Sequence, residues 1–295
     1  MSQHGHSAQS PELSDVTLPV ELQYEIISQL DPVADRSTLV TLLSVSSTFW
    51  EEAARLLYRK VTLDHDRLHR LLGVGHASET HQPTSLSART RRALGFIHSL
   101  HIVTPLPHPD LYFLWDTALP NTPLFPGVRT LSLRDRPDYT WYNNPVPRKR
   151  PEADVLLFDS PDACVTGYQS HHQLFYLPVK RLRSLTCHHV YADNVLRDLV
   201  MEQHPAQWES LRIFDDFSGR FNDTAAPDIA AWERDIARRR QPPVQVCFQS
   251  LDAGSKARNA MFMTYGWRES PASFIKLVFY RSSDECKPCG VCGKL

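Results

Sequence analysis

The chain is 295 residues long, is 42% hydrophobic, and carries a formal net charge of −1, from 32 Lys and Arg against 33 Asp and Glu. That length and apolar share suffice for one large or two modest globular domains, and the absence of a basic excess removes the electrostatic footing for nucleic-acid binding. No window approaches the roughly 18 apolar residues of a membrane helix, and residues 1–14 are polar with no signal-peptide core, so an intracellular, soluble protein of the cytoplasm or nucleus is expected.

Residues 1–14 read as a disordered tail in which His4 and His6 are solvated. Three short helices follow. Pro19 suits a first helical turn and Glu21 lies near the positive end of the dipole. Leu22, Ile26, Ile27 and Leu30 recur at one-face spacing until Asp31-Pro32 ends the run. A second helix is expected from Ser37, burying Leu39, Leu42 and Leu43. Thr48 and Glu51 have the spacing of a capping box for a third, with Trp50, Ala53, Ala54 and Leu57 on its inner side. Three helices of this size bury too little surface to stand comfortably alone. Some of their apolar surface is therefore expected to meet another body.

In these residues the chain resembles the F-box family. The order Leu18-Pro19, Glu21-Leu22, Ile26, Leu30, Leu42, Val45-Ser46 and Phe49-Trp50 follows the family pattern, and Leu56-Leu57-Tyr58-Arg59-Lys60-Val61 resembles the segment that leads into the next domain of F-box-like proteins. Ser47 stands where a basic residue is usual, and the loop Asp31 to Thr38 is somewhat long. The resemblance covers about a sixth of the chain. It implies an adaptor that docks on a Skp-type protein and a cullin scaffold through Leu18, Pro19, Leu22, Ile26, Leu30, Leu42, Val45, Phe49 and Trp50.

Beyond the helices a strand-like pattern recurs: apolar, two residues, leucine, one residue, apolar or small. Copies stand at Ile97–Ile102, Val128–Leu133, Leu182–Cys187, Trp208–Ile213, Phe248–Ala253 and Phe274–Phe279, with a looser one at Tyr58–Leu63. The more specific mark is the hydroxyl residue just before the leucine, namely Ser99, Thr130, Ser184, Ser210 and Ser250. Each copy alternates as a half-buried strand does. Helix signals lie at Asp110 to Leu119, Asp193 to Gln203 and Asp228 to Arg239, each ahead of proline. Strand then helix, repeated, resembles the irregular leucine-rich repeats that often follow an F-box; an α/β layer of other topology is the alternative. Arg136 to Pro151 reads as a long projecting loop, and its Trp141-Tyr142 pair as either an exposed partner contact or a pair folded back onto the core.

No nucleophile elbow, phosphate loop, His-Glu-x-x-His or dinucleotide fingerprint occurs, so neither enzymatic activity nor a cofactor is expected. His171-His172 and His188-His189 are adjacent pairs whose side chains would point to opposite faces of a strand, and they read as surface or loop histidines. Arg89 to Arg92 reads as a solvated helix end, and Cys164, Cys187 and Cys247 as buried free thiols. The tail places Cys286, Cys289 and Cys292 at two-residue spacing. It offers no fourth ligand of its own, so no metal is expected without outside help. Cys292 with a terminal leucine is a candidate for prenylation, although Gly293 and Lys294 are not the aliphatic pair preferred there.

The organisation expected is α/β: a tail (1–14), an F-box-like helical module (15–63), an irregular leucine-rich-repeat-like solenoid that binds a protein substrate (64–285), and a flexible cysteine-rich tail (286–295). The implied function is substrate receptor of a Skp–cullin–F-box ubiquitin ligase, with membrane contact only if Cys292 is prenylated. A leucine-rich scaffold without a ligase link is the alternative, and a metal-dependent or redox protein using the tail cysteines a third.

Overall fold

The computed structural model describes residues 18–72, 86–135, 151–167, 170, 173–174, 176–188, 207–215, 238, 244–248, 272–273, 275–279 and 288–293. The chain divides into two compact units, Met1–Leu57 and Tyr58–Leu295.

The first unit holds three helices, α1 (Val20–Ser28), α2 (Arg36–Leu42) and α3 (Ser47–Tyr58). Pro19 precedes α1, and its carbonyl accepts the Gln23 N–H at 3.1 Å. The α1–α2 connection is an Asx turn: Asp31 Oδ1 accepts the N–H groups of Val33 and Ala34 at 2.8 and 2.7 Å. Those bonds, Ala34 first, hold the Asp31 carboxyl below the ordinary carboxylate range. The cap of α3 differs from the one expected. Ser46 Oγ, rather than Thr48, accepts an orphan donor, the Phe49 N–H at 3.2 Å. Ile27, Leu39 and Ala53 form the centre, with Leu30, Leu42, Leu43, Phe49, Leu56 and Leu57 packed around it.

The second unit is built on a parallel sheet in strict chain order, β1 (Lys60–Leu63), β2 (Ser99–Thr104), β3 (Thr130–Asp135), β4 (Asp162–Thr166), β5 (Arg181–His188), β6 (Gln207–Asp215), β7 (Val244–Phe248) and β8 (Ile275–Phe279). The helices described with it are α4 (His65–Leu72), α5 (Ala88–Gly95) and α6 (His108–Thr117). Because Lys60–Leu63 pairs with Ser99–Ile102, it belongs to the sheet and not to the helical module expected to run to residue 63. From β2 to β6 the strand repeat falls into register: Leu100, Leu131, Ala163, Leu185 and Leu211 lie side by side across the sheet, and so do Ser99, Thr130, Asp162, Ser184 and Ser210, whereas in the copy at Phe274–Phe279 it is Ile275, not Leu277, that reaches the Leu211 rung. All five core positions are buried, as alternation along a half-buried strand requires.

β4 is the copy that the pattern missed, because Ala163 stands where leucine is usual; it fills the wide gap between Leu131 and Leu185. The copy placed at Phe248–Ala253 is out of position. The strand beside β6 is Val244–Phe248, and residues 249–253 lie outside the described residues. Also outside them are the helices expected at 193–203 and, apart from Arg238, at 228–239, together with the loop 136–150 and its Trp141-Tyr142.

Between β2 and β5, neighbouring segments also bond to each other beyond the strands. The Arg129 and Thr130 N–H groups donate to the His98 carbonyl, Phe125 N–H to Leu157 O, and Leu157 N–H to Pro178 O. Inside, the Phe125 and Phe158 rings stack at 5.6 Å. Several buried polar groups are paired between segments in the same way. The Gln173 side chain both donates to and accepts from the Leu106 backbone, and Asp135 Oδ1 accepts from Thr104 and Ser170. The result is an alternating α/β fold with a sequentially ordered parallel sheet, coarsely compatible with a solenoid.

Candidate functional site

Three helices enclosing so small a centre leave apolar side chains outside. Leu18, Leu22 and Ile26 recur at four-residue spacing, 49%, 50% and 55% exposed, and Val20, Tyr24, Val33, Val40 and Val45 are also exposed. Ile26 thus faces outward, and its neighbour Ile27 is the residue that α1 buries. Of the positions that carry the family resemblance, Leu18, Pro19, Leu22, Ile26 and Val45 are exposed, while Leu30, Leu42 and Phe49 pack against the helical centre and Trp50 is half-buried. The first set is exposed, and Leu30, Leu42 and Phe49 of the second help hold the helices together. An exposed apolar surface of this kind is the feature of the helical unit that a partner could use.

A second constellation lies in the sheet unit. Cys164 of β4, His188 at the end of β5, and Cys289 and Cys292 of the tail bring their ligand atoms within 4.8 Å of one another. The register explains half of it. Cys164 pairs with Thr186, and His188 lies two residues further along the same strand, so both point away from the core face on which Ala163, Val165, Leu185 and Cys187 lie. On β2 and β3 that outer face is only half-buried, at His101, Val103 and Ser132. On β4 and β5 it is closed: Cys164, Thr186 and His188 are at most 2% exposed.

The tail supplies the remaining two ligands from a tight turn. Gly293 N–H donates to the Cys289 carbonyl at 2.8 Å, with Gly293 at φ 69°, a conformation natural to glycine. Cys292 Sγ lies 3.5 Å from His188 Nε2, and the His188 ring stacks on Phe214 at 4.8 Å. Cys289 is held far below the ordinary thiol range, first by the Cys164 thiol donating to it, and also by His188 and the Val291 and Cys292 N–H groups, against the opposing effect of burial. Cys164 is raised by the same bond and by burial. Cys187, on the core face, is pushed up to about 12 by burial and then by the nearby Cys289.

Another cluster has a different chemistry. Buried Asp110 of α6 accepts from His65 Nδ1 at 2.8 Å and His69 Nε2 at 2.9 Å. Those are direct hydrogen-bond lengths, shorter than the separation of about 3.3 Å between two N/O ligands on one tetrahedral zinc. Asp110 is thus a buried carboxylate that pins α4 to α6. Beside it, Tyr112, Trp115, Asp116, Glu152 and Asp154 help line a cleft of about 520 Å³, a concave surface with an acidic rim.

Two sequence expectations need correction. The described part of the tail, residues 288–293, does not hang free: Cys289 is 2% exposed. Cys164 and His188 supply the further candidate ligands that the tail lacked: Cys164 is the buried free thiol expected, whereas His188, read as a surface or loop histidine, is 2% exposed. Only strand register brings them together, across residues far apart in sequence, and the hint available was that His188 ends a strand one residue beyond the core position Cys187, hence on the opposite face. Cys286, His171, His172 and His189 lie outside the described residues, as does the Cys247 side chain. No helix among the described residues is long and apolar enough to cross a membrane. Comparison with protein-family models, with curated proteins and with solved structures finds no match for this chain.

Proposed function

We propose that this chain is a substrate-receptor subunit of a Skp–cullin–F-box ubiquitin ligase, its helical unit an F-box-like module and its sheet unit an irregular leucine-rich-repeat-like receptor. The observation that carries the reading is the exposed apolar stripe of Leu18, Leu22 and Ile26, with Val45, on a three-helix unit, which falls on residues that carry the F-box resemblance. A Skp-type adaptor would cover that stripe, and the cullin would be reached through it. The sheet unit supports the receptor half: coils stacked in chain order carry the hydroxyl-leucine pattern in register and present the acid-rimmed cleft.

The chemistry is proximity. Binding a substrate and a ligase scaffold with one chain raises their effective concentration to each other, and no catalytic residue of its own is required. Affinity purification of the full chain from its own cells, with the proteasome blocked, tests this. Recovery of a Skp-type adaptor, a cullin and ubiquitinated protein together is the expected result. Partners recovered reproducibly without any adaptor or cullin would reject it in favour of a scaffold with no ligase link.

A further inference from the structure

We propose that Cys164, His188, Cys289 and Cys292 form a structural zinc site that fastens the C-terminal tail across the outer face of β4 and β5. Three kinds of observation support it. The first is composition and closure. Three sulfurs and one imidazole nitrogen make a full tetrahedral shell of the ligand types zinc favours, leaving no open position for a substrate. The second is distance. With Zn–S near 2.3 Å and Zn–N near 2.05 Å, tetrahedral angles put sulfur and nitrogen about 3.6 Å apart and two sulfurs about 3.8 Å apart. Cys292 Sγ and His188 Nε2 are 3.5 Å apart, and all four ligand atoms lie within 4.8 Å. The cysteines are free thiols, so no disulfide accounts for their gathering.

The third is construction. Two ligands come from paired strands, whose positions the sheet fixes, and two from a turn closed by the Gly293 N–H, which donates to the Cys289 carbonyl at 2.8 Å. The His188 ring is set by its stack on Phe214. Chain length permits the arrangement: ten residue steps from Phe279 to Cys289 reach up to about 33 Å, and the four strand spacings from β8 to β4 cover about 19 Å.

The site gives the tail a role that the ligase reading does not need, and it stands whether or not that reading does. Zinc would close the outer face of the sheet at β4 and β5, and chelation would free the tail. A thiolate held by zinc is also not available for alkylation, so an occupied site and a prenylated Cys292 exclude each other.

The test is metal content of the full chain, purified under reducing conditions and reconstituted with zinc, alongside cobalt substitution. One zinc per chain is expected, and the cobalt form should show the strong visible bands of a tetrahedral thiolate site. Cys289→Ser and His188→Ala should fall below about a tenth of the wild-type content in the presence of a competing chelator. His188→Cys should restore it with a stronger thiolate-to-cobalt band, which keeps the test sound if the alanine variant folds poorly. Cys286→Ser should keep its zinc. Less than a tenth of an equivalent in the reconstituted wild type, roughly a one-to-ten occupancy, would overturn the proposal. So would zinc retained by Cys289→Ser and His188→Ala together, or lost from Cys286→Ser but kept by Cys292→Ser.

Discussion

Ile26 and Ile27 are neighbours in the chain with opposite consequences. Ile27 is 2% exposed in the helical centre and Ile26 55% exposed outside it. Ile27→Ala should cost about 2–5 kcal/mol, the usual range for a truncated core side chain, read as a fall in the denaturant midpoint of the helical unit. Ile26→Asp should leave that midpoint nearly unchanged, because the new carboxylate stays in water, yet weaken adaptor binding at least about tenfold, or about 1.4 kcal/mol. The one-face spacing of Leu22, Ile26, Ile27 and Leu30 was legible in the sequence. Which of them faces the centre was not, since apolar residues on one short helix and the turn after it supply both core and exposed positions. Gly167 is another position where one atom decides. At φ 94°, and with the Asp135 carboxylate where a Cβ would go, Gly167→Ala should lower stability by more than about 1 kcal/mol, measured by thermal unfolding.

At the scale of elements, hydrogen bonds and charge tie strands to helices. Asp110 joins α4 to α6 through His65 and His69, and Asp110→Ala should cost about 1.5–3 kcal/mol, the range for bonds to a charged group. On β2, burial first, then Arg134 and Lys60, lowers the His101 pKa, and burial with Arg129 and Arg59 does the same for His98. A histidine depressed in the folded state takes up its proton less readily than in the unfolded chain, so the unfolded state binds more protons as pH falls. Stability should therefore be complete above the ordinary histidine value of about 6.5 and decline below it toward the folded value. Thermal unfolding between pH 7.5 and 5 should show the decline, roughly one histidine's worth shallower in His101→Gln. The strands themselves were legible because Ser99-Leu100, Thr130-Leu131, Ser184-Leu185 and Ser210-Leu211 repeat the same chemistry at the same rung. β4 was not, because Ala163 is too small to register as a core leucine, and β7 was placed too late because Ser250-Leu251 copies the motif outside the strand.

Across the whole molecule, local sequence patterns reach only neighbouring segments, whereas contacts between distant segments had to come from the fold. The helical unit is self-describing: caps, proline and apolar spacing all lie within 40 residues of one another. The cysteine–histidine cluster joins residue 164 to residue 292, and no spacing rule reaches that far. The central functional claim rests on the helical unit and is tested most directly by binding between the purified full chain and a purified Skp-type adaptor, wild type against Ile26→Asp, with matched unfolding curves. A stable complex with the wild type, lost or weakened at least about tenfold in a variant that unfolds at the same denaturant concentration, is the expected result. No complex with the wild type, or equal binding by the variant, would contradict it.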